Sequence, residues 1–133
     1  MRYSVRGRVI KGDGWGHTIG YPTANLDRRY FRRHPVPKGV WACKVKIQNP
    51  KLVPSSVAGS KIQNNGLWLK GIAVIGVQGK VEVYILDFDK NIYGWHCEAE
   101  VVKKIRLLKS FHSQAELTAQ IKKDVLTARS MLG

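Results

Sequence analysis

The chain has 133 residues, 44% of them hydrophobic, and a formal net charge of +14 at pH 7. That length predicts one domain, residues 1–133, able to bury a real core. No apolar run reaches the ~20 residues of a membrane span, and the charged opening "MRYSVRGRVI" is no signal peptide. Cys43 and Cys97 stand far apart with no metal-ligand spacing, so they are expected as buried thiols in a reducing cytoplasm. The charge surplus predicts attraction to polyanions: nucleic acid, a phosphorylated small molecule or an acidic surface.

In chain order, "YSVRGRVI" alternates, with Tyr3, Val5, Gly7 and Val9 on one face and Ser4, Arg6 and Arg8 on the other. That is a half-buried strand. "GWGHTIGYPTANLD" follows, too rich in Gly and Pro for a helix or a regular strand, and it predicts a shaped loop. The basic run "RRYFRRHPVPK" predicts another loop, either a solvated surface or an anion-binding one. In "GVWACKVKI", Trp41, Cys43, Val45 and Ile47 are expected to face inward, and Ala42, Lys44 and Lys46 outward. "NPKLVPSSVAGSKIQNNG" predicts a long loop. "LWLKGIAVIGV" and "VEVYILDF" predict two more strands, the second spanning residues 81–88. After the turn "DKNIYG", the segment "WHCEAEVVKKI" places Trp95, Cys97, Ala99 and Val101 on one face. The period then changes. Leu117, Ile121, Val125, Ala128 and Leu132 fall at spacings of three and four, the pattern of an amphipathic helix, and Ser113 with Glu116 forms an S-x-x-E capping box at its start. Antiparallel strands closed by one helix suggest a small barrel with the helix on its outside or across one end.

Three groups of residues carry chemistry. The glycine-rich loop offers backbone N–H groups that could cradle phosphate, although it has neither the P-loop nor the dinucleotide-binding spacing, and a plain turn explains it as well. Thr23 and Asn25 carry neutral oxygens two residues apart, so in an extended segment they point the same way. Such a pair can hold a magnesium ion that already carries phosphates, or can simply bond its own turn. Glu82 stands in an otherwise apolar strand, on the face expected to hold Tyr84, Leu86 and Phe88. It is either a surface ion-pair partner or a general base at a pocket rim. Glu98 and Glu100 read as solvated strand-face charges, and Asp87 fits either that role or a site.

Taken together, "GHTIGYPTANL", "GVWACKV", "VEVYILDF", "IYG" and "IRLLKSFHSQAELTAQIKKDVLTAR" resemble the riboflavin kinase family in order and spacing over nearly the whole chain. The resemblance implies a mainly β fold, a six-stranded antiparallel Greek-key barrel with a C-terminal α-helix. It implies transfer of the γ-phosphate of ATP to riboflavin, giving FMN and ADP, with Mg2+. In that reading Glu82 is the general base, and Thr23 and Asn25 hold metal and nucleotide. Gly12, His17 and Thr18 belong to a phosphate-covering flap, and Ile85, Asp87 and Tyr93 contact nucleotide. Arg106, Lys109 and Phe111 contact the flavin. Leu108 stands where the family often has an acidic residue, His17 where Arg or Lys is common, and "IGVQGK" is shorter than the family's corresponding region. Many bacterial relatives fuse this module to an FAD-forming nucleotidyltransferase, for which 133 residues leave no room, so FAD formation is not expected. The chain is expected to be a cytoplasmic monomer without membrane or specific nucleic-acid partners. The alternatives are a basic β-barrel module for nucleic acid, which the charge and Trp15, Trp41, Trp68 and Trp95 would serve, and a non-catalytic flavin- or nucleotide-binding relative.

Overall fold

Strand alternation builds the domain. In a computed structural model, which describes residues 3–10, 23–27, 35–49, 68–76, 80–88 and 91–133, six strands precede one helix. They are β1 (Tyr3–Ile10), β2 (Ala24–Leu26), β3 (Gly39–Gln48), β4 (Leu69–Ile75), β5 (Val81–Ile85) and β6 (His96–Arg106), and the helix is α1 (Gln114–Leu132). They close into a barrel in the order β1-β2-β5-β4-β3-β6, with every neighbouring pair antiparallel. β3, β4 and β5 are consecutive neighbours and β6 returns beside β3, which is the Greek-key order. The mainly β, six-stranded Greek-key barrel with a C-terminal helix is therefore as expected.

The lumen is packed with side chains. Val5, Val9, Cys43, Val45, Ala73, Ile75, Val83, Cys97 and Ala99 are each no more than 2% exposed. Burying one Val or Ile in this way contributes roughly 1.5–3 kcal/mol. Trp41, Ile47 and Trp95 pack against this core from its edges, on the faces that alternation assigns them. Gly71 on β4 leaves no room for a side chain. A Cβ there would lie 2.7 Å from Val45 Cγ2 and 2.9 Å from the Tyr84 carbonyl oxygen. Both thiols are free and buried. Burial pushes Cys43 well above the usual thiol range and Cys97 up to about 12.

A second apolar cluster lies on the outside of the barrel. Val40, Ala42, Ile72 and Leu86 are buried there against Ala128 of α1, with Val74, Tyr84, Ile105, Val125, Met131 and Leu132 packed around them. The helix thus lies along the outer wall over β3, β4 and β6, not across an end. Its start is capped as expected: Ser113 Oγ accepts from the Glu116 amide at 3.1 Å, and Glu116 Oε2 accepts from the His112 amide at 3.0 Å.

Three readings need correction. Ala42 points outward but is fully buried, because α1 covers it. The strand expected over residues 81–88 ends at Ile85. Leu86 and Asp87 form a turn, with Asp87 at φ +57°, and Phe88 then packs against the lumen core while Leu86 packs beneath the helix. The sequence "ANL" within the shaped loop is a strand, β2, too short for alternation to reveal.

Candidate functional site on the outer wall

Strand parity decides which side chains meet. Ala24, Leu26, Val81 and Val83 turn into the lumen core, so Asn25 and Glu82 turn outward. The two are register partners on the adjacent strands β2 and β5. The same outward row runs from Ile10 through Asn25, Glu82, Val74 and Val40 to Arg106. Asn25 is 9% exposed, and none of the hydrogen bonds among the described residues uses its side-chain amide. Glu82 keeps a quarter of its side chain exposed and meets Lys80 Nζ at 3.3 Å. Thr23, half-buried, enters β2 two residues before Asn25. An outward carboxylate beside a buried amide oxygen, with a hydroxyl close by, is a set of hard oxygen donors that suits Mg2+ carrying phosphate ligands.

The other expected site residues scatter around this row. Ile85 is 5% exposed and packs in the lumen core. Asp87 is held by both of its oxygens, each 2.9 Å from a guanidinium nitrogen of Arg129 in the last turn of α1. Those hydrogen bonds hold the Asp87 carboxyl below the usual carboxylate range. Tyr93 is 54% exposed in a turn where its amide donates to Asn91 Oδ1 at 3.0 Å. That turn is pinned to β1, because the Gly94 amide donates to the Val9 carbonyl and the Val9 amide to the Trp95 carbonyl. Gly12, His17, Thr18 and Trp15 lie outside the described residues, as do residues 28–34 of the basic run and residues 50–67, where a long loop is expected.

At the far end of the row, Arg106 meets the residues after β6. Its guanidinium carbon lies 5.8 Å from the centre of the Phe111 ring, and Lys109 Nζ is equally close. An open groove of about 440 Å3 runs between residues 109–112 and α1, lined by Phe111, Lys109, Gln120 and Lys123 among others. From Glu82 on β5 to Arg106 on β6 there are three strand steps, so with strands ~4.8 Å apart the two ends of the row are ~14 Å apart along the wall.

Sequence reasoning missed Asp124. It is 3% exposed beneath the helix and grips Arg106. The signal was present, since Asp124 follows Ile121 by three and precedes Ala128 by four, which places it on the apolar stripe. Among the described residues, three of the tryptophans that nucleic-acid stacking would use are engaged by other groups. Trp41 and Trp95 pack against the lumen core, and Lys46 Nζ covers the Trp68 ring at 4.3 Å. Among the described residues, no helix is long and apolar enough to cross a membrane.

Fold and site together define a Greek-key barrel whose lumen is filled and whose candidate chemistry sits on the outer wall beside α1. The chain belongs to the riboflavin kinase (flavokinase) family, whose family model matches residues 1–132. It is 39% identical over 132 residues to the bifunctional riboflavin kinase/FMN adenylyltransferase of Escherichia coli (strain K12), a match covering 98% of this chain and 38% of that protein. The chain therefore spans well under half the length of that relative. Among solved structures it is similar to riboflavin kinase from Trypanosoma brucei, with TM-score 0.69 and 28% identity over 98% of this chain and 80% of that one. A Streptococcus pneumoniae chain described as a macrolide-efflux protein also matches, with TM-score 0.74 and 30% identity over 95% of this chain and 38% of that one.

Proposed function

We propose that the chain is a single riboflavin kinase domain, residues 1–133, that transfers the γ-phosphate of ATP to the terminal ribityl hydroxyl of riboflavin. The observation that carries this reading is the register pairing of Asn25 with Glu82 on the outward face. It sets a carboxylate beside neutral oxygen donors, where a hydroxyl nucleophile and a metal-bound phosphate could meet. Glu82 accepts the proton of the hydroxyl as the new O–P bond forms and the bond from the γ-phosphorus to the bridging oxygen breaks, with ADP leaving. Lys80, at 3.3 Å, holds the carboxylate in place before substrate arrives. Thr23 and Asn25 are the residues that would hold Mg2+, which when bound neutralises charge on the phosphates. The flavin ring system sits toward the groove beside Phe111, and the ribityl chain runs along the wall toward Glu82. The ~14 Å along the wall from Glu82 to Arg106, which borders the groove, suits a fused ring bearing a five-carbon chain.

Riboflavin, ATP and Mg2+ incubated with the protein should yield FMN on chromatography. Glu82→Gln is nearly isosteric and its side chain is partly exposed, so melting should be unchanged while turnover falls by ~10²-fold or more. Turnover within a few-fold of the unmodified protein would remove Glu82 as the base.

A further inference from the structure

Arg106 is expected to touch the flavin, yet its guanidinium is already engaged by neighbours within the chain. Its Nε donates to Asp124 Oδ1 at 2.9 Å and Oδ2 at 3.1 Å, and its Nη2 donates to Oδ2 at 2.8 Å. Its Nη1 donates to the Leu107 carbonyl at 3.1 Å. The flat guanidinium also lies near the Phe111 ring. Asp124 therefore holds a group that both ties back the chain leaving β6 and supports the aromatic wall of the groove. The same carboxylate accepts from Gln120 Nε2 at 3.0 Å, and Gln120 lines the groove from the helix side. One buried side chain thus reaches both walls of the groove from behind.

The segment after β6 needs such an anchor. Leu107 is 71% and Leu108 38% exposed, and Lys109 and Ser110 are exposed as well. Apolar burial contributes little to its conformation, so the polar link to α1 is what sets it. A forked pair suits this task, because two parallel N–H···O bonds fix orientation as well as distance. A carboxylate this deeply buried would also be costly without its partner.

We propose that Asp124 is the positioning residue of the groove: through Arg106 and Gln120 it sets the Phe111 wall against the helix wall and so governs affinity for riboflavin, while it touches neither riboflavin nor nucleotide. This rests on the kinase reading above. It makes Arg106 a positioning residue too, in place of a direct flavin contact.

The test uses the full chain and reads riboflavin affinity by the change in flavin fluorescence on binding, alongside steady-state kinetics. Asp124→Asn keeps the size of the side chain but turns an N–H group toward the guanidinium fork. It should raise riboflavin Kd and KM by about tenfold, the equivalent of one lost charge-assisted bond, and leave ATP KM within about twofold. Arg106→Lys, which keeps the charge but loses the fork, should show the same split. Ala128→Gly, which loosens the helix at a buried contact without touching the network, should lower Tm and leave riboflavin affinity unchanged. Gln120→Met, which removes only the helix-side arm, should raise riboflavin Kd more weakly, and it carries the test should Asp124→Asn fail to fold. The proposal is overturned if the folded Asp124→Asn and Gln120→Met proteins bind riboflavin as the unmodified chain does. It is overturned equally if Ala128→Gly produces the same riboflavin-specific loss, since the effect would then be simple loosening of α1. An unmodified chain that binds riboflavin without making FMN would sink the kinase reading and leave the anchor testable by fluorescence. One that does not bind riboflavin at all would sink both.

Discussion

Replacing Asp124 by Ala should be among the most destabilising single changes available on α1. The carboxylate is 4% and the Arg106 side chain 20% exposed. Deleting one member of a buried ion pair typically costs about 3–5 kcal/mol, because the remaining charge is left without a partner. Arg106 keeps a solvent-facing edge and its bond to the Leu107 carbonyl, so the lower end applies, about 3 kcal/mol. Unfolding entropy near 2.1 cal/mol/K per residue amounts, over 133 residues, to about 0.28 kcal/mol/K, and that loss should lower Tm by about 10 °C. Thermal unfolding followed by circular dichroism measures it. The double variant Asp124→Ala/Arg106→Met provides the internal check. If the cost is the stranded charge, removing the charge as well should recover at least half of the lost Tm. A double variant that melts below the single one would show that the pair stabilises by its own attraction, and the argument from a stranded charge would fail.

Thr23→Ala and Asn25→Ala should each weaken Mg–nucleotide binding in calorimetry and leave riboflavin binding without nucleotide nearly unchanged; equal loss of both ligands would indicate a collapsed loop. Gly71→Ala should destabilise the barrel by ~1–3 kcal/mol in urea titration, since the carbonyl oxygen of Tyr84 is backbone and yields little; an unchanged midpoint would mean that β4 and β5 separate at low cost. The buried thiols predict alkaline sensitivity. Unfolded thiols ionise near pH ~8.5, whereas Cys97 in the folded protein is raised to about 12, so stability should be complete below the first value and fall as pH rises toward the second. Cys97→Ala should make that fall shallower, and an identical pH profile would count against thiol burial as its cause.

Much of the fold was legible from residue order alone, for local reasons. Period-two alternation located the inward faces of β1, β3 and β6, because a packed lumen admits only one of a strand's two faces. Ser113 and Glu116 marked the start of α1, because capping is completed within a single turn. The family motifs pointed to Glu82, Thr23 and Asn25. Only the tertiary structure could decide which outward residues are also buried. Ala42 is hidden because α1 lies over it, and Asp124 because it stands on the face of α1 that packs against the barrel. Strand alternation carries no information about a covering helix, and hydropathy assigns a carboxylate to solvent unless its partner is known. Arg106, which supplies that partner, lies on another element. The pairing of Asn25 with Glu82 is of the same kind. β2 is three residues long and flanked by Gly- and Pro-rich sequence, so nothing local marks it as a strand. Its register, and with it the pairing of Asn25 with Glu82, is set by closing the barrel, where every strand edge must find a partner and each side chain is turned either to the lumen or to the wall.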